Sequence, residues 1–189
     1  MAILDIRVLG DPVLRQATKP VVEITDDLKR LIDDMFATMQ HARGIGLAAP
    51  QVGRLERLAV VNVDKEPLVF INPEIVSVSS GKAKGEEGCL SIPDIYADVE
   101  RPKSVVVRAI DANGAPFERS ADELLARCLQ HEIDHLDGKL FLDYLSMLKR
   151  TAALAKWKLK SDDYPGYVRR VALETADDLD EHDHPDEEL

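Results

Sequence analysis

Five residues, His131-Glu132-Ile133-Asp134-His135, constrain this chain more than any other stretch. On a helix, positions i and i+4 stack on one face, so two imidazoles can be offered to one metal ion. Glu132, beside the first histidine, is placed to act as general base toward a water at that metal. Leu124, Cys128, His131 and His135 follow i, i+4, i+7, i+11, a single stripe. The histidines are therefore aimed with the apolar residues, into the protein. Ser120-Ala121-Asp122-Glu123 reads as a capping box that opens the helix, with Ser120 as cap and Glu123 reaching back, and Gly138 ends it. An inward-facing metal helix needs a shell around it, and the upstream sequence supplies strands.

Residues 3–9 read as a short extended segment, followed by the turn signal Gly10-Asp11-Pro12. Thr25 caps a helix from Asp26 to Arg43, with Asp26 and Asp27 in its first turn and Leu28, Leu31, Ile32, Met35 and Met39 at helical spacing. Residues 44–53, GIGLAAPQVG, are small and aperiodic, which permits close approach to the backbone. A phosphate loop is excluded there by the missing Gly-Lys-Ser/Thr ending. LAVVNV, PLVFIN and EIVSVS between Leu58 and Ser79 read as strands, and Gly81–Gly88 as an exposed loop or edge. Val105–Ile110 and Ala115–Arg119 form a hairpin about Asn113-Gly114. A basic helix runs over 145–160, with Lys149, Arg150, Lys156, Lys158 and Lys160, and a shorter one over Tyr167–Leu179. The expected fold is α+β: antiparallel or mixed sheets wrapped around a central metal-binding helix, with a C-terminal helix. Residues 1–165 are expected to form the catalytic domain, and 166–189 an extension with a disordered acidic tail.

Of the 189 residues 45% are hydrophobic and only 5% aromatic, so the core is expected to be aliphatic. The net charge of −11 misleads, because residues 177–189 hold eight acids and no Lys or Arg; without them it is −3. The acidity therefore says little about the substrate. Nothing resembles a signal peptide or a membrane span, which leads to the expectation of a cytoplasmic protein. Cys89 and Cys128 are too few for a disulfide scaffold.

Two histidines leave a catalytic metal short of its usual three protein ligands. A third histidine at the metzincin position is excluded, because Phe141 stands there. Glu174 would serve a zinc endopeptidase, and Cys89, in EGCLS, offers a thiolate or else a small buried hydrophobe. His182 and His184 read as solvated tail residues.

Three segments in this order, GIGLAAPQ (44–51), EGCLS (87–91) and HEIDH (131–135), resemble the signature motifs of the peptide deformylases. The resemblance covers about residues 3–150, including GDPVLRQATKPV and GKLFLDYLS, and is to the bacterial class with a helical C-terminal extension. It implies metal ligands Cys89, His131 and His135, Fe(II) as metal with Zn, Ni or Co able to substitute, and Glu132 as general base. It implies Gln51 and the Leu90 backbone as oxyanion donors. It further implies substrate contacts from Ile45, Gly46 and Gly88, with Cys128 lining the methionine pocket. Glu87 and Arg101 are expected to pair and steady the Cys89 loop. Tyr96 departs from the Arg of many relatives near the groove. The implied reaction removes the N-formyl group from nascent chains; the alternative is an HExxH zinc endopeptidase. The implied partners are nascent N-formylmethionyl peptides and the ribosome, through helix 145–160, with neither DNA nor membrane.

Overall fold

A computed structural model describes residues 1–171. The elements in chain order are β1 (Ile6–Arg7), α1 (Asp26–His41), β2 (Gly46–Ala48), β3 (Leu58–Val63), β4 (Glu66–Val78), β5 (Lys82–Cys89), β6 (Ile92–Pro102), β7 (Ser104–Ile110), β8 (Pro116–Asp122), α2 (Glu123–Leu136), α3 (Met147–Lys160) and β9 (Val168–Arg169). A five-stranded sheet has the order β2-β3-β4-β7-β8, and two-stranded sheets pair β5 with β6 and β1 with β9. Every named pairing is antiparallel.

Helix α2 stands at the centre, touching β2, β3, β7, β8 and β6. Its lower half packs Ala126, Cys128, Leu129 and Ile133 against Val61, Phe70, Val105 and Val107 of the large sheet. Helix α1 covers that sheet with Leu28, Leu31, Ile32, Met35 and Met39, against Leu47, Val60 and Ile71. A third cluster gathers Val8, Ile92, Ile95, Val99, Phe141, Ala153 and Trp157 where β6 meets α3. The α+β fold around the histidine-bearing helix is therefore as expected.

Several local expectations fail for physical reasons. No capping box opens α2. Strand β8 runs on to Asp122, with Ser104 opposite Asp122 and Val106 opposite Ser120, so sheet pairing claims the backbone that the box would need. Asp122 takes the cap position without a side-chain bond, and Glu123 enters the helix at φ 45°. Of the exposed loop or edge expected over 81–88, the structure shows the edge, strand β5. Its outward lysines face acids across the pair, Lys84 with Asp98 at 3.0 Å and Lys82 with Glu100 at 3.4 Å. Leu124 departs from its stripe, being 51% exposed while Cys128, His131 and His135 are buried. Tyr167 enters a short 3-10 turn and Val168–Arg169 a strand, so the helix expected from Tyr167 does not begin there. The rest of that stretch, Glu174, His182, His184 and the acidic tail lie outside the described residues.

Candidate active site

The site forms where three segments meet. Helix α2 presents His131, Glu132 and His135. The turn between β5 and β6 presents Cys89 and Leu90, and a 3-10 turn over Ala49–Val52 presents Gln51. The ligating atoms of Cys89, His131 and His135 all lie within 4.8 Å of one another. Cys89 Sγ is 3.3 Å from His135 Nε2. One ion with bonds of ~2.0–2.3 Å can reach all three.

Glu87 fixes the tautomer of His131. Its carboxylate Oε2 lies 3.1 Å from Nδ1 and can only accept, so Nδ1 carries the proton and Nε2 is left for a metal. Burial disfavours charge on both rings. At His131 the Cys89 sulfur and the Glu87 carboxylate outweigh burial and drive the pKa well up, whereas burial and the neighbouring His131 drive His135 well down. One thiolate with two imidazoles suits a first-row divalent metal.

Glu132 lies beside this cluster. Its Oε2 is buried with no hydrogen-bond partner, and burial pushes its carboxyl up to about 7. Gly46 makes the approach possible, since a Cβ there would collide with the Glu132 carboxylate and the Cys128 sulfur. Gln51 is buried and held by a bond from the Ala48 N–H to its Oε1 at 2.8 Å. That leaves its Nε2 pointing at Cys89 Sγ, 3.6 Å away, and at Ser91 Oγ, 3.3 Å away.

A cleft of about 410 Å³ opens from these groups, lined by Ile45, Gly46, Gly88, Leu90, Tyr96 and Cys128 among others. Strand β2 is an edge strand beside it. Cys128 Sγ is 3.6 Å from the Ile45 carbonyl and lies apart from the three-ligand cluster. Burial raises its pKa, so it stays a thiol rather than a competing thiolate. The Tyr96 ring lies against Gly88.

Glu87 and Arg101 are paired and buried, with Arg101 Nε to Glu87 Oε1 at 2.6 Å and Nη2 to Oε2 at 2.9 Å. Burial alone would raise the Glu87 carboxyl, but the bonds from Arg101 and His131 hold it at about 2. Sequence reasoning missed the rest of this network. Arg101 Nη1 also donates to Asp134 at 2.8 Å, the Tyr144 hydroxyl donates to Asp134 at 2.8 Å, and Arg127 Nη1 donates to Glu87 at 2.7 Å. Two of these carried a signal: Asp134 lies inside the HEIDH pentapeptide, and Arg127 is one helical turn before His131 on the same face.

Residues 3–151 match the family model described as Polypeptide deformylase. A peptide deformylase of Hydrogenovibrio crunogenus is 56% identical over 158 residues, covering 82% of this chain and 93% of that protein. One of Brucella suis is 51% identical over 163 residues, covering 84% and 93%. Among solved structures, the peptide deformylase of Legionella pneumophila superposes with a TM-score of 0.82 at 50% identity, covering 87% of this chain and 99% of that one. That of Synechococcus elongatus, in complex with actinonin, gives 0.79 at 49% identity, covering 81% and 86%. These matches support a deformylase and not the endopeptidase alternative. With motifs, fold and relatives in agreement over most of its length, the chain belongs to the peptide deformylase family.

Proposed function

We propose a division of labour for the family's reaction, hydrolysis of the N-formyl group of formylmethionyl peptides with release of formate. Cys89, His131 and His135 hold the metal, which we take to be Fe(II), with Zn, Ni or Co able to substitute. When bound, it supplies Lewis acidity for the attacking water and for the formyl oxygen. Glu132 takes the water proton and passes it to the departing amine. Burial, which raises this carboxyl, favours its taking up a proton. The Gln51 amide and the Leu90 N–H donate to the developing oxyanion. The peptide adds as a strand along β2, with main-chain contacts to Ile45, Gly46 and Gly88, and the methionine side chain enters beside Cys128. Glu87 and Arg101 steady the Cys89 turn and the His131 ring.

The single observation that carries this reading is the orphaned Glu132 carboxylate beside a three-ligand cluster that Gln51 also faces. The test is formate release from formyl-Met-Ala-Ser by anaerobic, iron-loaded protein, with metal content measured on the same sample. Turnover with formyl peptide and none with an unformylated peptide is expected; absence of formate would overturn it.

We place the protein in the cytoplasm; among the described residues no helix is long and apolar enough to cross a membrane. We take residues 1–165 as the catalytic domain and 166–189 as its extension. Helix α3 is proposed to dock on the ribosome. Its exposed face carries Lys149, Lys156 and Lys158 beside exposed Leu148 and Leu159, while Ala153 and Trp157 are buried against the body. Lys160 and Arg150 are engaged within the protein, with Asp94 and Asp143.

A further inference from the structure

The chain beyond α3 returns to the site. Trp157 stacks on Tyr164 with ring centroids 5.6 Å apart, and its Nε1–H donates to the Leu9 carbonyl at 3.1 Å. The Val8 N–H donates to the Tyr167 carbonyl at 2.9 Å, and β9 then pairs with β1, Ile6 opposite Arg169. Tyr167 lies over Gly10, where any Cβ would strike its ring. These contacts form a strap over 161–171, beyond residue 151 where the family match ends.

The strap delivers one side chain to the cleft. Arg169 lines it and donates from Nη1 to the Leu90 carbonyl at 3.3 Å. The turn that carries Cys89 and Leu90 is thereby held at consecutive points. Arg169 holds the Leu90 carbonyl, the Leu9 N–H holds the Ser91 carbonyl at 2.8 Å, and Gln51 holds the Ser91 hydroxyl at 3.3 Å. The Leu90 carbonyl and N–H flank one Cα, so fixing the first limits the rotation that would swing the second out of line. Oxyanion stabilisation depends on donors already aimed before reaction.

We propose that Arg169 is a positioning residue for deformylation, through which the C-terminal strap sets the aim of the Leu90 N–H. The inference rests on the reading of that N–H as an oxyanion donor. The test uses the full-length chain, anaerobic and iron-loaded, with formyl-Met-Ala-Ser as substrate. R169A is expected to lower kcat ~10-fold with KM nearly unchanged, less than the ~10²–10³ typical of deleting a donor outright. R169K is expected to recover part of the loss, since an ammonium can donate to one carbonyl. A second readout needs no metal: amide hydrogen exchange of residues 88–92 in the metal-free chain should quicken in R169A, while that of α1 stays as in the parent. Unchanged kcat and exchange would overturn the proposal. So would a rise in KM alone, which would assign Arg169 to peptide binding. Q51A separates the two levels. If Q51A loses activity and R169A does not, the strap role fails and the oxyanion reading stands; if neither does, the oxyanion reading fails and takes the strap role with it.

Discussion

Buried carboxylate oxygens almost always have partners, and Glu132 Oε2 has none. An acid kept waiting in this way is poised to receive a proton from something that arrives. Glu132→Gln preserves shape and hydrogen-bonding capacity but cannot accept that proton. It should lower kcat by ~10²–10⁴ while metal content per chain stays at the parent level. Retained turnover with full metal would remove Glu132 from its role. Tyr144 shows the same dependence on surroundings in a structural group. Burial, with the hydrogen bond to Asp134 adding to it, pushes its phenol up to about 12 from an ordinary value of 10. The folded state favours the neutral phenol, so this contribution is complete below pH 10 and is lost as pH rises through about 12. In urea titrations Tyr144→Phe should be less stable than the parent near neutral pH, with the gap closing under alkaline conditions. A gap independent of pH would show that the hydroxyl does not carry it.

Among elements, the decisive join is between the β5–β6 hairpin and α2, made by the network of Glu87, Arg101, Arg127, Asp134 and His131. Removing one member of a buried charge cluster strands the others. Arg101→Ala should cost about 3–5 kcal/mol in denaturant unfolding and weaken metal retention by ~10–100-fold. Arg101→Lys should restore little, because a single ammonium cannot match the two-pronged bond to Glu87. Full stability in the alanine variant would exclude the network as a support. This join also marks the limit of what could be read from sequence. Helix α1, the Asn113-Gly114 hairpin and the histidine stripe were legible because each has a local signature: a cap, a turn pair, a period. The three short motifs pointed to Cys89, His131, His135 and Gln51, which the fold brings together. Strand β5 was legible only as a loop or edge, since its lysines pair across strands with acids 14 and 18 positions away and leave no apolar alternation. Asp134, Arg127 and Arg169 were missed for a related reason: each acts through a partner brought close only by tertiary folding.

At the scale of the molecule, α3 serves two faces. Ala153 and Trp157 bind it to the core, so deleting the helix would unpack the protein and could not isolate a docking role. Reversing charge on the exposed face avoids this. The combined variant Lys149→Glu, Lys156→Glu, Lys158→Glu should keep the thermal midpoint and turnover of free peptide, yet lose ribosome pelleting. The parent's pelleting should itself fall steeply with salt. Equal pelleting of parent and variant would exclude this face.

The three candidate ligands come from two packed regions. Cys89 lies against the cluster that contains Trp157, while α2 is rooted in the cluster beneath the large sheet. An ion bound to Cys89, His131 and His135 would therefore fasten one region to the other. Any ligand that binds only the folded chain stabilises it, by ~2.7 kcal/mol at a hundredfold excess over its dissociation constant. Metal supply and chain lifetime would thereby be coupled. Under metal starvation the seam between the regions would open more often and expose the chain to proteases there. A cell short of metal would thus lose copies of the protein as well as turnover from those that remain.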